Sequence, residues 1–236
     1  MNRDQKLLEE AYGEVCESTY LEPDNVTEYI KRGCKGDLDL EKTSITSLPA
    51  ELKIVRGRLS LYKSKIESLP EGLEVQGDFD ISFTDIATLP KGLKVGGNLY
   101  LMSCEKLESI PEDLQVRGDL NLNYSSITSL PEGLSVGSLL LAHSKIVSLP
   151  KNLKIRGDLN LAGTSINSLP SDLQVGGFLN LKGSGIKKLS QIPLDLEPAG
   201  IESYDFTYGE FYRNKQLSKK LSDTFSKEDL EVLEEF

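Results

Sequence analysis

The sequence predicts a mainly β, α+β protein in which a right-handed parallel β-solenoid is closed at each end by a capping segment. A Leu-Pro or Ile-Pro pair recurs at intervals of 19–21 residues from Pro49 to Pro170. A glycine recurs with the same period from Gly36 to Gly177, so that eight copies of one unit span about residues 36–190. Self-similarity at a fixed short period is typical of stacked repeats, in which each unit contacts mainly its neighbours.

The unit that begins at Gly118 explains how one copy closes into a coil. Leu120 and Leu122 flank Asn121, and this alternation predicts a strand whose leucines face inward. Pro131 lacks an N–H and therefore ends strand pairing. Gly118 is expected to allow either a positive φ or a close approach of two backbones. The other inward positions are Ile127, Leu130, Leu134 and Val136.

Small residues occupy one column of the repeat, the third position after the second strand leucine. Each hydroxyl in this column is expected to bond backbone groups at a corner of its own coil or the next one. The thiol member, Cys104, is accordingly expected to be buried and inert. The column reads Thr43, Ser64, Thr84, Cys104, Ser125, Ser144, Thr164 and Ser184.

The unit G-D-L-N-L-x-x-[ST]-S-I-x-S-L-P-x-x-L-x-V resembles the short, roughly 20-residue leucine-rich repeats of bacterial and phage proteins. It also shares the L-x-L strand and the I-x-x-L-P exit with the repeats of secreted bacterial effectors. The resemblance implies a leucine-rich-repeat type of solenoid that binds other proteins. Ser or Thr replaces the usual Asn after the strand, which implies a stack straighter than a horseshoe. The opening segment, residues 4–12, resembles the first helix of many small tailed-phage proteins, which implies a phage-encoded protein.

Both ends of the chain are predicted to cap the solenoid. Residues 1–35 are expected to form a helical N-terminal cap, with one helix over 4–17 and a second over about 24–32, ending at Gly33. A docking helix for a partner is the alternative. Residues 191–236 are expected to form a C-terminal cap with an acidic helical tail from Ser226, or a mobile acidic tail that engages a basic partner.

The composition limits the classes of function. The 236 residues carry a formal net charge of −10, which disfavours binding to nucleic acid. No secretory signal and no apolar run long enough to span a membrane occur, so a cytoplasmic protein without membrane contact is expected. The three cysteines have no Cys-x-x-Cys spacing, and neither disulfides, metal nor cofactor is expected.

Catalytic chemistry is not predicted. His143 is the one histidine of the chain, and no nucleophile or carboxylate recurs beside it. The aspartates of the G-D-L corner recur with the motif, as in Asp119 and Asp158, and are therefore interpreted as corner residues rather than as a paired acid and base.

Two columns of strand residues face outward and vary from coil to coil, so they are free to serve recognition. The first outward column is Asp39, Ser60, Asp80, Tyr100, Asn121, Leu140, Asn160 and Asn180. The second is Glu41, Tyr62, Ser82, Met102, Asn123, Ala142, Ala162 and Lys182. With the corner that follows, they predict an apolar binding surface, the outer patch, with acidic residues of coils one and three at one edge. Scattered surface residues, or cover by the C-terminal segment, are the alternatives. The outer patch consists of Tyr62, Phe83, Tyr100, Met102, Tyr124, Leu140 and His143.

The leading hypothesis is a non-enzymatic protein–protein interaction module. Its sharper form is a phage-encoded protein that binds and inhibits a bacterial host protein, such as a component of antiviral defence, in the host cytoplasm. The alternatives are a secreted bacterial effector scaffold that acts on a eukaryotic host protein, and a phage structural or adhesin component. The oligomeric state and the identity of the partner stay open.

Overall fold

The computed structural model describes residues 24–224. The predicted helix over 4–17 and the predicted acidic helix from Ser226 lie outside the described residues. Within them the chain is mainly β, and its short strands stack in parallel as the turns of a solenoid. This arrangement confirms the predicted parallel β-solenoid.

The front of the solenoid is one nine-stranded parallel sheet with the strand order β1-β3-β5-β7-β9-β11-β13-β15-β16. Neighbouring strands pair in register at equivalent motif positions, so Leu120 lies beside Leu99 on one side and Leu139 on the other. The strands are β1 Leu38–Asp39, β3 Leu59–Ser60, β5 Phe79–Asp80, β7 Leu99–Tyr100, β9 Leu120–Asn121, β11 Leu139–Leu140, β13 Leu159–Asn160, β15 Phe178–Asn180 and β16 Gly200–Glu202.

The back of the solenoid carries two smaller parallel sheets, and the break between them coincides with a shorter coil. Arg117 stands between Val116 and Gly118, whereas Val136 directly precedes Gly137, so the fifth coil is one residue short. The Arg156 guanidinium donates a hydrogen bond to the Arg117 carbonyl across this coil. The strands are β2 Ile54–Val55, β4 Glu74–Val75, β6 Lys94–Val95 and β8 Gln115–Val116 in one sheet, and β10 Ser135–Val136, β12 Lys154–Ile155 and β14 Gln174–Val175 in the other.

The core is a continuous column of inward leucine, isoleucine and valine side chains. Leu120 and Leu122 are fully buried, while Asn121 between them is only half-buried, as the alternation predicts. At Gly118 the φ angle is not positive, and the close approach explains the glycine instead. A Cβ built there would lie 2.7 Å from the carbonyl carbon of Gly97 in the preceding coil. Glycine is therefore required because consecutive coils touch through their backbones at this corner.

The column of small residues is buried except at the half-buried Thr43, and most of its hydroxyls bond backbone carbonyls within their own coil. The Ser125 hydroxyl donates to the Leu122 carbonyl at 2.7 Å, as equivalent hydroxyls do in three other coils. The Ser64 and Ser144 hydroxyls, by contrast, are buried without a hydrogen-bond partner. Burial raises the pKa of the Cys104 thiol to about 11, which keeps it protonated and inert near neutral pH.

Short elements flank the repeat coils at both ends of the described chain. Helix α1, Asp24–Lys31, buries Val26 and Tyr29 against the first coil, and the Tyr29 hydroxyl lies within hydrogen-bond distance of the Cys34 and Gly36 carbonyls. A 3-10 turn spans Leu189–Gln191 and leads into β16, which extends the front sheet beyond residue 190. Helix α2, Tyr208–Thr224, follows and buries Phe211.

The hydroxyl column generates a paired prediction. Ser125→Ala should lower the free energy of unfolding by about 1 kcal/mol, because it removes a buried hydrogen bond. Ser144→Ala should leave stability unchanged or raise it, because the hydroxyl removed has no partner. Urea midpoints of the full-length variants measure both effects. Equal losses in the two variants would contradict the assignment.

Candidate protein-binding face

The outer surface of the front sheet places the two outward columns in straight rows. Tyr100 pairs in register with Asp80 on one side and with Asn121 on the other, and Asn121 pairs with Leu140. Tyr100 and Leu140 therefore lie in one row, two strand spacings or about 10 Å apart. The register thus places these two residues on the same face of the sheet.

The Asp and Asn members of the first outward column have a role in the fold. Each places a side-chain oxygen 2.9–3.1 Å from the backbone N–H two residues further along, where the strand ends. Asp and Asn favour this local turn because their short side chains reach the backbone. The residues that accept this bond are Asp39, Asp80, Asn121, Asn160 and Asn180.

Tyr100 and Leu140 interrupt this pattern, because neither side chain can accept that bond in the same way. The preceding coil compensates in both places. The Met102 N–H donates to the Ser82 hydroxyl at 3.2 Å, and the Ala142 N–H donates to the Asn123 side-chain oxygen at 2.7 Å. The fold therefore accommodates these two large side chains at outward positions where Asp or Asn would accept a backbone N–H bond.

The corner after the front strand adopts the left-handed conformation in all eight repeat coils. Its non-glycine members have φ between 54° and 59°, whereas Gly163 and Gly183 have φ of 67° and 68°. A non-glycine residue in this region costs about 1 kcal/mol, and a bulky one is an uncommon choice. The corner column consists of Lys42, Lys63, Phe83, Ser103, Tyr124, His143, Gly163 and Gly183.

Aromatic rings from adjacent coils form two pairs within the outer patch. Tyr62 and Phe83 meet edge to face with their centroids 5.5 Å apart, and the Lys63 ammonium lies 5.2 and 5.3 Å from the two centroids. Tyr124 and His143 stack with centroids 4.9 Å apart and planes inclined by 13°. Phe83 and Tyr124 are 41% and 55% exposed, so the pairs present ring surface to solvent.

Gly163 provides the space that the Tyr124–His143 pair needs. A Cβ at position 163 would collide with the His143 ring, coming within 2.5 Å of Cε1. Six coils place a side chain at nearly the same φ, so backbone conformation alone does not require this glycine. The imidazole is therefore held between the Tyr124 ring and the backbone of the seventh coil.

The aspartates of the G-D-L corner are engaged in structural bonds. Asp37, Asp78, Asp119 and Asp158 each accept a backbone N–H of the next coil at 2.6–2.7 Å. This ladder supports the interpretation of the corner aspartates as structural residues. At the predicted acidic edge, Arg58 lies 3.5 Å from the Glu41 carboxylate and 4.0 Å from that of Asp80.

The seven residues of the outer patch fall into three groups in the structure. The two ring pairs hold Tyr62, Phe83, Tyr124 and His143, while Tyr100 and Leu140 share a strand row. Met102 lies in the same coil as Tyr100 and accepts the Phe83 N–H on its carbonyl at 2.9 Å. Sequence reasoning missed Lys63, Arg58 and Gly163. Alignment of the coils assigns each of these residues to its column, but it does not show the contact that the residue makes.

Within residues 24–224 no cluster of three or more His, Cys, Asp or Glu side chains is placed to hold a metal ion. No helix in the same range is long and apolar enough to cross a membrane. The fold and this face define a parallel β-solenoid with rings on its outer surface. Neither the family models nor the curated proteins compared with the chain match it.

The position of His143 generates a testable prediction with a matched control. Gly163→Ala should displace the His143 ring from Tyr124, because the added methyl occupies the space of the imidazole. Gly183→Ala has nearly the same φ but meets no atom closer than 3.7 Å, so it should leave the ring pair intact. Ring-current shifts of the His143 protons measure the stacking. Equal displacement in both variants would show that the glycine does not position the ring.

Proposed function

We propose that this protein is a non-enzymatic interaction module that binds another protein through the outer patch. The observation that supports the proposal best is that large side chains stand at positions where the fold favours a short polar residue or a glycine. Tyr100 and Leu140 take the position of a polar residue that serves the backbone, and Phe83, Tyr124 and His143 take left-handed corners. Strained or locally costly positions concentrate at functional sites.

The chemistry of these side chains suits a protein partner. Tyrosine and methionine are enriched at the centres of protein interfaces, where they bury large area with few rotatable bonds. The ring pairs are already held by stacking, by Lys63 and by Gly163, so little side-chain freedom remains to be lost on binding. The net charge of −10 favours a protein partner over a nucleic acid.

The non-enzymatic part of the proposal is supported by the engagement of the polar groups. The corner aspartates accept backbone N–H groups of neighbouring coils, which fixes them as structural acceptors. His143 stacks on Tyr124, an arrangement that suits a contact surface better than a proton-transfer pair.

The narrower form of the proposal is a phage-encoded protein that binds and inhibits a bacterial host protein, such as a component of antiviral defence, in the host cytoplasm. Its support is the resemblance of the repeat unit and of residues 4–12 to phage proteins. The partner is thus expected among bacterial cytoplasmic proteins.

Affinity capture from bacterial cytoplasm tests the function. The tagged full-length chain is cross-linked in cells, purified and analysed for a stoichiometric partner. Tyr100→Ala combined with Tyr124→Ala should reduce recovery of that partner about tenfold or more, because interface anchors contribute most of the binding energy. Tyr204→Ala combined with Tyr212→Ala is the matched control, since these tyrosines are 78% and 51% exposed outside the outer patch.

The control pair should recover the partner as well as the native chain does. Urea midpoints of all variants establish that each is folded before recovery is compared. A partner recovered equally by the patch variant and the native chain would rule out the outer patch as the binding site.

A further inference from the structure

Along the middle of the outer patch the corner column carries a lysine, a phenylalanine, a serine and a tyrosine in successive coils. In the second coil the Lys63 ammonium lies over the rings of Tyr62 and Phe83. In the third coil the corner residue is the ring of Phe83 itself. In the fourth coil it is Ser103, and in the fifth it is the ring of Tyr124. The chain thus supplies a cation to its first ring pair, while the corresponding place beside Tyr124 holds only the small side chain of Ser103.

The dimensions of this place suit one flat group. The corners that carry Phe83 and Tyr124 are two coils apart, or about 10 Å at the usual strand spacing. His143 covers one face of the Tyr124 ring, so the other face is turned toward the fourth coil. A planar group in van der Waals contact with rings on both sides needs about 7–8 Å between them. We call the space above Ser103, between Phe83 and Tyr124, the ring slot.

Negative charge lies beside the ring slot. Asp85 and Glu105 are exposed, two residues beyond the corners of the third and fourth coils. The Asp85 side chain is 66% exposed and lies 3.4 Å from the Lys106 ammonium. The equivalent positions of the second and sixth coils are lysines, Lys65 and Lys145, so the carboxylates occur in the third coil, which carries Phe83, and in the fourth, which carries Ser103.

We propose that the ring slot binds an arginine side chain of the partner protein, an inference that rests on the proposed function. A guanidinium is planar, weakly hydrated and permanently charged, so it stacks on rings and pairs with carboxylates more readily than an ammonium does. Lys63 over Tyr62 and Phe83 is the precedent for a cation on these rings within the same column. At Ser103 the cation comes from outside the chain.

Titration with a small probe tests the slot without knowledge of the partner. N-acetyl-L-arginine N-methylamide is added to the full-length chain, and aromatic ring resonances are followed by NMR. The Phe83 and Tyr124 resonances should shift saturably, whereas the exposed ring of Tyr204 should not. The lysine analogue should bind about threefold more weakly, in line with the stronger stacking of guanidinium.

Two substitutions at one position separate the slot from its surroundings. Ser103→Lys gives the fourth coil its own ammonium, like Lys63, and should abolish the titration. Ser103→Ala keeps the slot open and should retain it. Glu105→Gln should weaken binding about twofold, because it removes one nearby charge.

Three outcomes would overturn the inference. The first is an arginine probe that leaves Phe83 and Tyr124 unmoved. The second is a probe that still binds Ser103→Lys. The third is partner capture that is unaffected by Ser103→Lys although the probe binds the native slot. Each can occur while the Tyr100 and Tyr124 double variant still loses the partner, so the slot can fail without failure of the proposed function.

Discussion

In-register parallel pairing of equivalent residues is the constraint on which the rest of the structure depends. Because Leu120 lies beside Leu99 and Leu139, every motif position becomes a column that runs along the solenoid. Inward columns then form one continuous core, and corner aspartates form a ladder of bonds to the next coil. The glycine at Gly118 follows from the same constraint, since a side chain there would separate the two backbones. Outward columns have no such role in packing, and they can therefore vary without loss of the fold.

Periodicity made much of this fold predictable. The inward leucines, the buried Cys104 and the shared row of Tyr100 and Leu140 all follow from counting along the repeat. Strand β16 could not be predicted from the repeat, because Gly200–Glu202 lacks the motif and joins the sheet only through tertiary pairing. The left-handed corner was missed because lysine, phenylalanine and tyrosine carry no signal for positive φ. The contacts of Lys63, Arg58 and Gly163 depend on side-chain rotamers, which a column alignment does not specify.

At two kinds of position in the outer patch the residue differs from the one that the solenoid backbone favours. The first outward column favours Asp or Asn, yet Tyr100 and Leu140 stand there, and Ser82 and Asn123 of the preceding coils satisfy the N–H groups involved. The corner column favours glycine, yet three large rings stand there at about 1 kcal/mol each. A large buried core tolerates such losses, because stability in a repeat stack is a sum over many similar interfaces. Both departures fall within coils three to six, where the rings are also exposed.

The corner column determines which of these side chains meet on the outer surface. Its left-handed backbone points successive side chains outward at a fixed spacing of about 4.8 Å, so neighbouring residues stack or pair almost independently of the core. A ring followed by a ring produces the Tyr124–His143 stack, and a ring next to a lysine produces the cation over Phe83. Between the corners of Phe83 and Tyr124 the column carries the small Ser103. The order of residues in one column therefore determines which side chains stack or pair along the outer surface, while the fold beneath stays the same.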